Sequence, residues 1–140
     1  MYSKYFQLYE IVDRLVYDTL GVGAWELFPP ESLEMIDGVR EFFGVPCVCN
    51  NWFTGGEFQN RGYRSVSCTV GAKGSQHRLG RGFDLTVRNH TAEEARKKIL
   101  ANQDNSLLKD VTRMENLVNW LHIDCAILLP KKKGIILFNP

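Results

Sequence analysis

The sequence predicts one α+β domain over residues 1–140, with a small antiparallel sheet and helices packed on one side of it. Three observations lead to this fold class. A length of 140 residues suits one domain. Hydrophobic residues make up 44% of the chain and charged residues 24%, which is the balance of a globular protein. Helical spacing of apolar residues in the first third of the chain gives way to short alternating segments further on.

Helices are expected in three places. Apolar side chains recur at helical spacing over residues 4–20, and a glycine follows the pattern. A second helix fits Pro30 to Phe43, with a proline near its start, early acidic residues and a glycine just past its end. The third should follow Thr91, which forms a capping box with Glu94, and continue to about Asn102.

Short alternating or apolar segments predict five strands, at residues 45–50, 82–87, 110–115, 120–129 and 135–138. Between the first two strands, residues 51–82 are rich in glycine, asparagine, serine and arginine. A long irregular segment inside a small domain is usually functional, so we expect this loop to contribute to a site.

Charge and hydropathy exclude several classes of protein. The formal net charge is +1, which gives no electrostatic footprint for nucleic acid. No apolar run approaches the ~20 residues that a membrane span needs. The N-terminus lacks the apolar stretch and cleavage site of a signal peptide. We therefore expect synthesis in the cytoplasm, with any export by lysis or by delivery in a particle.

The four cysteines, Cys47, Cys49, Cys68 and Cys125, do not form a zinc knuckle or an evident disulfide framework. Cys47 and Cys49 are two residues apart on one predicted strand, which is poor geometry for a disulfide. Free, mostly buried thiols are the expectation, and they fit a protein made in a reducing compartment. We also expect a monomer.

Two segments contain candidate metal ligands. In the first, His77 is followed seven residues later by Asp84, with glycines between them. In the second, His122 and Asp124 would point to the same face of a strand. Two histidines and one carboxylate form a common catalytic zinc set that leaves a fourth position for water. The alternative is that His77 is an ordinary loop histidine and His122 a buried, hydrogen-bonded one.

These segments resemble the zinc D-Ala-D-Ala carboxypeptidase and endolysin family, which shares its fold with the hedgehog signalling domain. The matching motifs are Ser75-x-His77-x-x-Gly80-x-Gly82-x-Asp84 and Trp120-x-His122-x-Asp124, with glycine where the family usually has alanine. Upstream, Arg61-Gly62-Tyr63-Arg64-Ser65 resembles the family's S-G-Y-R-S segment. The resemblance covers about residues 45–126, and the whole chain looks most like small phage-encoded members.

The resemblance implies a hedgehog/DD-peptidase-like fold, a Zn²⁺ cofactor held by His77, Asp84 and His122, and hydrolysis of peptidoglycan stem or cross-bridge peptides at the bacterial cell wall. It implies that Arg64 faces the substrate, although Arg64 could instead pin the glycine-rich loop to a backbone carbonyl. Arg61 is a second candidate for substrate contact.

The chain departs from the family at the position three residues before the last histidine. Well-studied relatives often have an acid there, whereas this chain has Asn119, which cannot act as a base and could at most orient substrate. Glu115 is the nearest acid and our candidate general base; its alternative is a surface carboxylate paired with Arg113.

Two further residues are expected to support the metal ligands from outside. Asp124 should orient a histidine or a loop, and Ser75 should bond to the backbone or to Asp84. The hypothesis from another class is a non-catalytic zinc-binding domain that serves as a virion or host-interaction component, and Asn119 is the residue that favours it.

Overall fold

Four helices and five strands make up the chain in the computed structural model, which describes all 140 residues. The helices are α1 (Leu8–Ile11), α2 (Arg14–Leu20), α3 (Pro30–Phe43) and α4 (Ala92–Leu100). The strands are β1 (Cys47–Val48), β2 (Gly82–Val87), β3 (Arg113–Glu115), β4 (Leu121–Asp124) and β5 (Ile136–Phe138). The predicted α+β class is confirmed.

Helix α3 begins and ends where its sequence predicts. Pro30 occupies the first turn, where the missing N–H costs no hydrogen bond, and Glu31 complements the helix dipole there. At the other end Gly44 adopts a φ of 67° and its N–H bonds to the Arg40 carbonyl. Helix α4 starts with the predicted capping box of Thr91 and Glu94.

The single helix predicted over residues 4–20 is wrong, because the structure contains two short helices there. Val12 is extended, and the Asp13 carboxylate accepts a hydrogen bond from the Val16 N–H, which starts helix α2 afresh. The Val12 carbonyl, free of the helix, accepts bonds from the Asn50 amide and the Trp52 indole. The apolar residues keep helical spacing across this break, so their spacing alone does not reveal it.

The sheet is mixed, so the prediction of an antiparallel sheet is wrong at one edge. The strand order is β1-β2-β4-β3-β5; the first three neighbouring pairs are antiparallel, and β3 pairs with β5 in parallel. After β4 the chain passes to the far side of β3 before β5 begins. A strand that runs opposite to β4 at that position is necessarily parallel to β3.

Strands β2 and β4 divide the sheet into an apolar and a polar face. Phe83, Leu85 and Ile123 belong to the buried core, together with apolar residues of α3 and α4. Because side chains alternate along a strand, Asp84 and His122 point to the opposite face. The core therefore fixes the strands whose other side presents the candidate ligands.

None of the helices is both long and apolar enough to cross a bilayer. All four cysteines are free thiols; Cys68 is half-buried and the other three are buried.

Candidate metal centre

The two strand ligands face each other across the centre of the sheet. Asp84 of β2 and His122 of β4 are direct partners in the antiparallel register. His77 comes from the 3-10 turn Gln76–Leu79, which ends at Gly80 with a φ of 67° and packs against β2. Gly80 allows a tight turn, so the chain enters β2 close to the 3-10 turn that carries His77.

His77, Asp84 and His122 form a buried group that could hold a metal ion. One ligand atom from each residue lies within 4.8 Å of the others. The Asp84 Oδ1 atom is 3.2 Å from His77 Nε2 and 2.8 Å from His122 Nδ1. Two imidazole nitrogens that lie around one carboxylate oxygen are the arrangement expected of the three protein ligands of a mononuclear site.

Each histidine is oriented by a hydrogen bond at its other ring nitrogen. His77 Nδ1 lies 2.9 Å from the Gly62 carbonyl oxygen, which can only accept, so Nδ1 carries the proton and Nε2 is left for a metal. His122 Nε2 lies 2.8 Å from Asp124 Oδ2, which leaves Nδ1 on the side of Asp84. These contacts are the outer partners that metal-binding histidines usually have.

Asp124 is held in turn by an arginine. Its side chain is fully buried, and Arg113 donates to both carboxylate oxygens. The distance is 3.0 Å from Nε to Oδ1 and 2.9 Å from Nη2 to Oδ2. The Arg113 guanidinium also lies 4.4 Å from the centre of the Phe138 ring, and that ring packs against His122 at 5.5 Å between ring centres. The orientation of His122 is thus fixed from two sides.

The electrostatics of the group favour a cation between the histidines and Asp84. Burial would raise the pKa of Asp84, but hydrogen bonds from His122 and His77 hold it well below its usual range. Burial would lower the pKa of His122, but its bonds to Asp124 and Asp84 raise it to about 9. A ring between two carboxylates is stabilised by positive charge, which a proton or a metal ion can supply.

Comparisons of the chain with protein-family models, with curated proteins and with solved structures find no match.

Arg64 and Arg61 both lie beside Asp84. Arg64 is buried; its Nε donates to the Asn60 carbonyl over 2.7 Å, and its Nη2 is 3.4 Å from Asp84 Oδ2. Arg61 accepts the Asp84 N–H at its carbonyl and donates from Nη1 to the Thr86 hydroxyl over 2.8 Å. The structure therefore gives Arg64 a contact that holds the loop and places its charge against the candidate ligand Asp84.

Ser75 caps the turn that carries His77, since its hydroxyl accepts a hydrogen bond from the His77 N–H over 3.3 Å. It makes no hydrogen bond to Asp84. Its contribution to the centre is therefore made through the backbone of the first ligand.

Glu115 lies on the polar face of the sheet. It is the last residue of β3, and it shares a strand face with Arg113 because the two are separated by one residue. Arg113 pairs with Asp124 in the register, so Glu115 belongs to the same face as His122. Its carboxylate takes part in no ion pair, since Arg113 is bound to Asp124 instead. Asn119 precedes β4 and lines a groove beside helix α4 with Thr91 and Leu117.

Several residues of the centre have no evident signal in the sequence. The sequence suggests Glu115 as the partner of Arg113, whereas the observed pairing with Asp124 depends on the β3–β4 register. Arg78 fastens the glycine-rich loop by donating to the carbonyls of Ser65, Cys68 and Ala72. Its position inside the first motif was the one available hint.

Proposed function

We propose that this chain is a zinc-dependent peptidase that hydrolyses the stem or cross-bridge peptides of bacterial peptidoglycan. The observation that carries the proposal is the buried His77, Asp84 and His122 group on the polar face of the sheet. The motifs around these residues supply the peptidase class and the substrate. In this proposal the α+β fold is of the hedgehog/DD-peptidase type.

The donor set suits zinc. Two imidazole nitrogens and one carboxylate oxygen are ligands typical of catalytic zinc, which keeps a fourth position open. Ligands about 2.0–2.1 Å from a tetrahedral ion are roughly 3.3 Å apart, and the two histidine contacts to Asp84 Oδ1 are 3.2 and 2.8 Å. Bound zinc would supply a Lewis acid that polarises a carbonyl group and makes water a better nucleophile at neutral pH.

Glu115 is the proposed general base. A carboxylate on the face of His122, with no cation bound to it, is available to take a proton from the attacking water. The same carboxyl group then returns a proton to the leaving amine. Arg64 is the proposed partner of the substrate carbonyl oxygen, where its charge opposes the negative charge that develops. Arg61, beside Asp84, is proposed to contact the substrate peptide, and Asn119, in the groove beside helix α4, is proposed to orient it.

A non-catalytic zinc-binding domain is the second candidate, and Asn119 is the observation that favours it. Relatives often have an acid at this position, and an amide cannot transfer a proton. In this alternative the centre orders the loop over residues 51–82, and the protein serves as a virion or host-interaction component.

Digestion of purified cell walls distinguishes the two functions. The wild-type protein, loaded with one zinc per chain, should release soluble peptide fragments, and a chelator should stop the release. Glu115→Gln should keep zinc and fold but lose about 100-fold or more in turnover. Glu26→Gln, an exposed glutamate in the 3-10 segment Gly21–Leu27, makes the same chemical change elsewhere and should digest like the wild type.

Three outcomes would contradict the proposal in different ways. Full activity of Glu115→Gln would place the base elsewhere. Full zinc content in both His77→Ala and His122→Ala would remove the ligand assignment. A wild-type protein that holds zinc but digests none of a broad panel of walls would favour the non-catalytic domain.

A further inference from the structure

The loop between β4 and β5 carries an isolated positive charge. Residues 125–140 contain three consecutive lysines, Lys131, Lys132 and Lys133, and no aspartate or glutamate. Because the whole chain has a formal net charge of +1, residues 1–124 must carry −2. All three lysines are exposed, and none of the ion pairs of the structure involves them.

The same loop exposes aliphatic side chains. Ile127 is 70% exposed and Leu129 is 89% exposed, and the exposed Pro130 separates them from the lysines. The groove beside the loop is also lined by Asp104 and Asp110. Ile127, Leu129 and the three lysines are called the basic loop below.

We propose that the basic loop docks the protein onto the surface of an anionic phospholipid membrane. Lysines beside exposed aliphatic side chains match the two layers of a bilayer surface, since the ammonium groups meet lipid phosphates and the aliphatic groups enter the boundary with the acyl chains. A soluble polyanion would bind the lysines but would gain nothing from the exposed aliphatic side chains. The two exposed aliphatic side chains therefore favour a membrane over a nucleic acid or a phosphate-bearing polymer.

Docking here would also orient the metal centre. The loop connects β4, which carries His122, with β5, whose Phe138 packs against His122. A membrane bound to the loop would hold the polar face of the sheet in a fixed orientation to the lipid surface. This inference does not rest on peptidase activity.

Sedimentation with lipid vesicles tests the docking. The full-length protein should partition onto phosphatidylcholine vesicles that contain about one third phosphatidylglycerol, and only weakly onto pure phosphatidylcholine. Replacing all three lysines with glutamine should reduce partitioning about 100-fold, at about fivefold for each lysine. High salt should reduce binding of the wild type as strongly, because it screens exposed charges.

Matched controls separate the loop from net charge and from general hydrophobicity. Lys4, Lys97 and Lys98 are also exposed, and replacing them with glutamine changes the net charge equally but should leave most of the binding. Ile127→Ser with Leu129→Ser should weaken vesicle binding about tenfold or more. Leu15→Ser with Val22→Ser, at positions 62% and 78% exposed, should not. Melting curves confirm that every variant is folded.

Two results would overturn the proposal. Equal partitioning of the wild type and of the basic-loop lysine variant would show that the loop does not bind lipid. Unchanged vesicle binding of the aliphatic variant, with equally strong binding of the wild type to soluble polyphosphate, would assign the lysines to a polyanionic polymer instead.

Discussion

Replacing Asp124 with asparagine tests how Asp124 orients His122 in the candidate metal centre. The buried carboxylate accepts four hydrogen bonds: two from Arg113, one from His122 Nε2 over 2.8 Å and one from the Ala126 N–H over 3.1 Å. Asparagine keeps the volume but has one acceptor oxygen, and its NH₂ group must face a donor. In either orientation Arg113 loses one acceptor, and either the His122 ring or the Ala126 N–H loses its acceptor as well.

The expected losses of metal affinity and of folding stability follow from these contacts. Loss of an outer partner of a metal-binding histidine reduces metal affinity about 10- to 100-fold, which is roughly 1.4 to 2.8 kcal/mol. Breaking a fully buried ion pair costs about 3–5 kcal/mol. The Arg113 side chain is 27% exposed and can reach water, so we expect a smaller loss of about 2 kcal/mol in the metal-free protein, or roughly 6 °C in melting temperature.

Competition with a chelator of known affinity measures the metal affinity. Melting curves with and without that chelator measure the stability of the metal-free protein. Glu115→Gln is the matched control, since it makes the same change on the same face of the sheet and should alter metal affinity less than threefold. If Asp124→Asn binds metal within threefold of the wild type, the proposed orientation of His122 is refuted. A comparable loss in Glu115→Gln would instead show that any charge on this face matters.

Three further predictions concern stability and reactivity. The pKa of His122 is raised to about 9, so its contribution to the stability of the metal-free fold is fully present below pH ~6.5 and is lost as pH rises through 9. The free energy of unfolding in urea should therefore be about 3 kcal/mol larger at pH 6.5 than at pH 9.5. Equal stabilities at the two pH values would contradict the shift. Gly62→Ala should destabilise the fold by about 3 kcal/mol or more, because the new Cβ would lie 2.1 Å from the Ile11 carbonyl oxygen; Gly74→Ala, where a Cβ meets nothing within 4 Å, is the control for the same melting experiment. Folded protein treated with a thiol reagent at pH 7.5 should be modified first at the half-buried Cys68, since the other three thiols are buried; mass mapping that finds another cysteine modified first would count against this.

Local signals in the sequence determine some elements well. Pro30 and the glycine after Phe43 bound α3, and Thr91 with Glu94 starts α4, because the hydrogen bonds of these helix ends lie within a few residues of chain. The break at Asp13 was not predicted, since a carboxylate that caps a new helix competes with a periodicity that favours one continuous helix. The parallel pairing of β5 was not predicted either, because it depends on where the chain crosses β3.

The candidate site likewise combines residues that the sequence predicts with contacts that it does not predict. The sequence contains two histidine–aspartate pairs, and the resemblance to the zinc peptidase family implies His77, Asp84 and His122 as the ligands; the structure brings these three together. The contacts that orient the rings come from elsewhere in the chain: the Gly62 carbonyl for one histidine, and Asp124 with Arg113 for the other. Such contacts depend on strand register and loop path, which a motif does not contain.

The pairing of Arg113 bears directly on the choice between an enzyme and a non-catalytic domain. Had Arg113 bound Glu115, the proposed general base would have been neutralised, and Asn119 could not have replaced it. Arg113 instead binds Asp124 with both donors and stacks on Phe138. One arginine thereby fixes the orientation of His122 and leaves the Glu115 carboxylate free of any ion pair. The same contact agrees with both proposed roles, metal binding by His122 and proton transfer by Glu115, and we therefore favour the peptidase proposal despite the amide at position 119.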